Sequence, residues 1–165
     1  MYQKRFLVGK IEYYYPSGML SDVNAVTNSQ HKAIEYVLKK LMIIQLINDF
    51  GDKHGLGVTD FYADYHIADL NTGKTYKFNY GYNLKLGTHL EELIKKYESN
   101  EDIQYFCNKL EKECQEQLAE EDSWKELFIE SYIDLNLDIS LEEQDTENVL
   151  ETLASLNRSQ EIEVL

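Results

Sequence analysis

A chain of 165 residues that is 43% hydrophobic, with one proline and eight glycines, can bury a core and is not a disordered or linker-rich sequence. Its formal charge of −14 at pH 7 disfavours nucleic-acid and membrane surfaces and favours basic partners. The longest apolar run, Leu41–Ile44, is far short of a membrane span, and the opening MYQKRFLVGKIEYYY lacks the apolar core of a signal peptide, so a cytoplasmic location is expected.

Arg5–Tyr15 is rich in aromatic and β-branched residues and predicts a strand. Pro16-Ser17-Gly18 marks a turn, and Met19–Val26 predicts a weaker return strand. Asn28 or Ser29 can cap a helix whose apolar positions Ala33, Ile34, Val37, Leu38, Leu41 and Ile44 follow a 3.6-residue period. Its later part, Leu41–Ile47, is apolar nearly all round with Gln45 the one polar residue, which predicts a central buried helix ending at Gly51 or Gly55.

Val58–Asp69 alternates as a strand, with Phe61, Ala63, Tyr65 and Ile67 on one face and Asp60, Tyr62, Asp64 and His66 on the other. Asn71-Thr72-Gly73 is a hairpin turn, and Thr75–Tyr82 returns with Tyr76, Phe78, Tyr80 and Tyr82 on one face. From Thr88 onward the pattern is helical to the end. Thr88-His89-Leu90-Glu91 and Ser140-Leu141-Glu142-Glu143 read as capping boxes. Apolar stripes run through Ile103, Phe106, Cys107, Leu110, Cys114 and Leu118, then around Trp124, then through Val149, Leu150, Leu153 and Leu156. The expectation is an α+β fold: residues 1–87 form a small antiparallel ββαββ sheet on a long buried helix, and 88–165 form an acidic helical region packed on that base. Cys107 and Cys114 would stand two helical turns apart, about 10 Å, too far for a disulfide.

The charge is strongly segregated. Residues 1–90 hold 8 Asp/Glu against 10 Lys/Arg, a net of +2; residues 91–165 hold 22 against 6, a net of −16. Around Trp124, Asp122, Glu126 and Glu130 recur every four residues on the face opposite the tryptophan, and Glu113, Glu116 and Glu120 precede them. Helical neighbours four apart lie about 6 Å from each other, close to the spacing of successive phosphates on a nucleic-acid strand. Like charges at that spacing oppose helix formation, and here few lysines are interspersed. The alternative reading is a solvated acidic surface that keeps the protein soluble.

Other constellations are weaker. Asp60 and Asp64 stand about 13 Å apart along a strand, so only Asp64 and His66 can share an ion, and no metal is expected. Asp134, Asn136, Asp138, Ser140, Glu142 and Asp145 fit the ligand spacing of an EF-hand loop, but Ile139 occupies the position that requires glycine. No nucleophilic triad, CxxC, GxGxxG or P-loop is present, so neither a catalytic residue nor a cofactor is expected. Lys4, Arg5, Lys10, Lys39, Lys40, Lys74 and Lys77 can form a small basic face beside the tyrosine-rich ribbon, though direct nucleic-acid binding is disfavoured by the overall charge.

Small size, an acidic surface, thirteen tyrosines and the absence of a catalytic motif resemble, as a class, DNA-mimic inhibitors such as phage anti-restriction and anti-CRISPR proteins. The class implies a stoichiometric inhibitor whose partner is a basic nucleic-acid-binding protein, such as a host nuclease. The acidic contact would be Glu113, Glu116, Glu120, Asp122, Glu126 and Glu130. The alternative is an adaptor or immunity-type protein that binds a protein partner through Tyr62, Tyr80 and Tyr82, with the acid serving solubility.

Overall fold

The computed structural model describes residues 5–11, 23–54, 64–79, 84–117, 137–155 and 160–161; at 11, 54, 79, 84–85, 113–117, 154–155 and 160–161 only the backbone is described. The elements are β1 (Phe6–Ile11), β2 (Val23–Thr27), α1 (Gln30–His54), β3 (Asp64–Asp69), β4 (Lys74–Asn79), α2 (Leu84–Tyr97), α3 (Glu101–Gln117), α4 (Glu143–Ser155) and β5 (Gln160–Glu161). The ββαββ order and the small α+β fold are as expected from the sequence. The described residues fall into two units. One draws on segments 1–38, 62–89 and 141–165, the other on 39–61 and 90–140.

The first unit is built on an antiparallel sheet of order β2-β1-β3-β4-β5. Register places Val8 beside Ile67 and Ile67 beside Tyr76, and sets Tyr65 against Phe78. Alternation therefore sends Phe6, Val8, Tyr65, Ile67 and Phe78 to one face, where all are at most 2% exposed. Ala33, Ile34, Val37 and Leu38 of α1 belong to the same unit and are equally buried. The β3–β4 hairpin turns through Asn71-Thr72-Gly73, as the sequence predicts. Gly73 adopts φ 70°, a left-handed conformation that glycine takes without a Cβ clash. Its N–H donates to the Asp69 carbonyl at 2.8 Å, and the Asn71 N–H donates to Asp69 Oδ1 at 3.0 Å.

Helix α1 starts as its cap predicts: the Lys32 N–H donates to Ser29 Oγ at 3.3 Å and the Ala33 N–H to the Ser29 carbonyl at 3.1 Å. It does not stop at Gly51, which is buried within it, but runs to His54. In the second unit Leu41, Met42, Ile43 and Ile44 are fully buried and Ile47 is 2% exposed, so the all-round apolar stretch is interior as expected. Gln45 is buried too, and its Oε1 has no hydrogen-bond partner, at a cost on the order of 1–3 kcal/mol.

Three local expectations are corrected. Thr88 does not cap a helix, because α2 already begins at Leu84 and passes through Gly87 and Thr88. The buried series Leu86, Leu90, Leu93, at helical spacing, outweighs a local capping signal. The second predicted box also misplaces its start: α4 begins at Glu143, and the Asp145 and Thr146 N–H groups donate to the Glu142 carbonyl, which makes Glu142 rather than Ser140 the entry residue. Finally, the chain is not helical to its end. β5 pairs antiparallel with β4, matching Lys74 with Glu161 and Thr75 with Gln160, and so covers an edge that would otherwise expose unpaired backbone groups. The predicted strand face of Tyr80 and Tyr82 and the helix around Trp124 lie outside the described residues.

Candidate interaction surfaces

The acidic residues singled out in the sequence fall at the end of what is described. Glu113 and Glu116 lie on α3, three residues apart along its backbone; Glu120, Asp122, Glu126 and Glu130 lie outside the described residues, as do Tyr62, Tyr80 and Tyr82. Among the described residues the structure defines two further acidic arrangements, one in each unit.

The first is on α4. Val149, Leu153 and Thr146 form its buried side, at 0, 2 and 3% exposure. Glu143, Glu147 and Glu151 recur every four residues on the other side, and all three are exposed. That is a regular row of carboxylates at steps of about 6 Å. Its orientation is fixed by polar contacts within the unit. Thr146 Oγ1 donates to the Glu143 carbonyl at 2.7 Å, which spends the only hydroxyl proton. Thr146 Oγ1 is therefore the acceptor for His31 Nδ1–H of α1, 2.8 Å away, and this sets the imidazole tautomer. The Leu141 N–H donates to Glu35 Oε1 of α1 at 3.1 Å. Glu35 Oε2 stands 4.0 Å from His31 Nε2. Two side chains one turn apart on α1 thus hold both the entry to α4 and its first turn. The recurrence of Glu143, Glu147 and Glu151 is legible in the sequence with the rule applied around Trp124.

The second is in the other unit, where Asp49 and Asp52 from the end of α1 meet Glu91 from the middle of α2. The Asp49 carboxyl is held above its ordinary range, first by loss of solvent and then by the charges of Asp52 and Glu91. Glu91 and Glu92 are exposed. The fold here brings like charges together, and Asp49 bears the cost.

The remaining constellations resolve by geometry. Asp64 is buried at 6% exposure and His66 half-buried on β3, and His66 pairs in register with Lys77, which sets a cation where a metal would need another ligand. Among the described residues no three His, Cys, Asp or Glu side chains come together to hold a metal ion. Of the EF-hand spacing, Ile139 is buried at 1% exposure and Asp145 is taken into α4, while Asp134 and Asn136 lie outside the described residues. The Cys107 thiol is half-buried and its pKa is raised by that burial, the wrong direction for a nucleophile.

The proposed basic face loses two members. Lys40 is buried at 5% exposure, and Arg5 is engaged by Asp69 in a bidentate pair, with Nε–Oδ1 at 2.9 Å and Nη2–Oδ2 at 2.8 Å. The Arg5 guanidinium also stacks 4.7 Å from the Phe6 ring centre. The pair holds the Asp69 carboxyl down to about 2, mainly through the Arg5 hydrogen bonds and against the opposing effect of burial.

Residues 6–79 are similar to the family described as "Bacteriophage T4 protein Y07C", which suggests a phage protein. The matched span opens on the first residue of β1 and closes on the last of β4, so it comprises the ββαββ module, a little under half of the chain. The strongly acidic residues 91–165 lie beyond it. No curated protein and no solved structure matches the chain. No helix among the described residues is long and apolar enough to cross a membrane.

Proposed function

We propose that this chain is a phage or mobile-element inhibitor that acts without turnover in the host cytoplasm, as an anti-restriction or anti-CRISPR decoy. Its acidic helices take the place of nucleic-acid phosphates in the basic groove of a host nuclease. The observation that carries the reading is the segregation of charge, a net −16 on residues 91–165 against +2 on residues 1–90. The exposed row Glu143, Glu147, Glu151 supports it, because about 6 Å between carboxylates suits lysines and arginines arranged to meet successive phosphates. The similarity of residues 6–79 to a phage family supports the origin.

The energetics of α4 favour a role over mere solubility. Acid in its first turn complements the helix dipole, which accounts for Glu143. Glu151 stands four residues before the last residue of the helix, near the negative end of that dipole, and one turn from Glu147. Both neighbours disfavour it by a few tenths of a kcal/mol each. Selection for folding alone would place lysine there.

The test is capture of partners from host lysate at low and high salt, read by mass spectrometry, with inhibition of the captured nuclease as the activity assay. Charge reversal of Glu116, Asp122 and Glu126 to lysine, and separately of Glu143, Glu147 and Glu151, is expected to weaken capture and inhibition. Binding by a decoy falls steeply with salt. Undiminished inhibition by both triple variants would sink the reading. Dependence on Tyr62, Tyr80 and Tyr82 with little response to salt would replace it by the adaptor.

A further inference from the structure

The large apolar or aromatic side chain most open to solvent among the described residues is Tyr105, at 70% exposure. It sits on α3, whose opposite side is buried through Ile103, Phe106 and Leu110 at 2, 3 and 2% exposure. Helix α3 begins cleanly: the Asp102 N–H donates to Asn100 Oδ1 at 2.9 Å and the Gln104 N–H to the Asn100 carbonyl at 3.0 Å. The register of the outer face is thereby fixed. Glu101 and Asp102 precede Tyr105 by four and three residues, and Lys109 and Lys112 follow it by four and seven; all four are exposed. On a helix of 3.6 residues per turn these five residues fall within about 60° of the tyrosine's direction, so they share one face.

The face is acidic for one turn before the tyrosine and basic for the two turns after it, as far as Lys112. A second helix of the same sequence laid antiparallel, with the two-fold axis at Tyr105, reverses that order. Lys109, about 6 Å along the axis from Tyr105, then meets Asp102 of the second copy, about 4.5 Å along from its own tyrosine in the opposite sense. Lys112 falls beside Glu101 of the second copy. The two tyrosines meet at the centre, where an aromatic pair is best placed to lose water. A parallel arrangement sets like charge on like charge. The helix dipole explains acid in the first turn; it explains neither the exposed tyrosine nor the two lysines after it, which stand short of the last turn.

From this self-complementary face we infer that α3 is a homodimer contact, an isologous antiparallel pairing of two copies about Tyr105. A single helix pair covers less area than the roughly 1,200 Å² at the low end of stable interfaces, and each copy carries −14, so the dimer is weak and concentration-dependent. Its long-range repulsion is screened at 0.15 M salt, where the Debye length is about 8 Å. The inference is independent of the decoy reading and uses none of its residues.

Sedimentation velocity on the full chain at 0.15 M salt, from micromolar to near-millimolar protein, is the test. The expected result is a shift from the 19.4 kDa monomer toward twice that mass. K109E/K112E alone and E101K/D102K alone are expected to stay monomeric, and their equimolar mixture is expected to form a heterodimer, since every contact then pairs unlike charges. Tyr105→Ser is expected to lower the dimer fraction at least several-fold. All these positions are exposed, and far-UV circular dichroism confirms that each variant keeps its helices. A wild type that stays monomeric throughout overturns the inference, as does dimerisation that survives both reversals or a mixture that fails to associate.

Discussion

At the scale of single residues, the Arg5–Asp69 pair joins parts of the sequence 64 residues apart. Asp69 accepts from the Arg5 guanidinium and from the Asn71 N–H, so one carboxylate both ties β1 to the end of β3 and shapes the hairpin. With the Asp69 carboxyl near 2 in the fold and about 3.9 when unfolded, its contribution is complete above about pH 4 and disappears as pH falls toward 2. Arg5→Met removes the partner of a carboxylate whose side chain is 6% exposed. Acid unfolding followed by circular dichroism should then begin at higher pH than in the wild type. An unchanged acid midpoint would deny the pair this role. Arg5 was legible as a basic residue on a strand; that it is occupied internally, and so withdrawn from any basic face, depended on Asp69 lying 64 residues away.

At the scale of elements, periodicity was a more dependable signal than caps, of which Ser29 held while Thr88 and Ser140 did not. The α1 positions read as core from the sequence, from Ala33 to Ile44, are all at most 1% exposed. Phe6, Val8, Tyr65, Ile67 and Phe78 share one buried face, though β3 is buried on its other face as well, at Asp64 and Ala68. Long runs average over many side chains, so a hydrophobic stripe outvotes any single local preference. A capping box involves two side chains worth about 1 kcal/mol each, which is why Thr88 yields to the Leu86, Leu90, Leu93 stripe. β5 is two residues long and exists only because β4 offers an edge, which local sequence does not signal. On α4, Glu151→Lys should raise stability by a few tenths of a kcal/mol in chemical denaturation, by removing a like-charge neighbour and complementing the helix dipole. A loss of stability would show instead that Glu151 makes a structural contact.

At the scale of the molecule, the charge is both the functional argument and a cost. Fourteen net negative charges repel one another in the compact state. Asp49, beside Asp52 and Glu91, shows that repulsion at one carboxyl. Raising ionic strength from about 0.01 to about 0.15 M shortens the Debye length from about 30 to about 8 Å. The thermal midpoint should therefore climb with salt over the range in which partner capture by a decoy weakens. A midpoint that falls with salt would mean that attractive ion pairs such as Arg5–Asp69 outweigh the net repulsion. The opposite salt responses of stability and binding separate self-repulsion from recognition in one set of buffers.

By itself the sequence determined the small α+β class, the ββαββ order, the buried central helix, the hairpin at Asn71-Thr72-Gly73 and the concentration of net negative charge in the second half. Each of these is a local or periodic property: side-chain polarity repeating at 2.0 or 3.6 residues, a glycine free to turn, a count of charges along the chain. Tertiary structure decided what required two distant segments to meet. It buried Lys40, engaged Arg5 with Asp69 and added β5 to the sheet. It crowded Asp49 with Glu91, and through His31 and Glu35 it oriented α4 so that Glu143, Glu147 and Glu151 face outward. These depend on which face is buried against what, and burial is a property of the packed chain that no window of sequence contains.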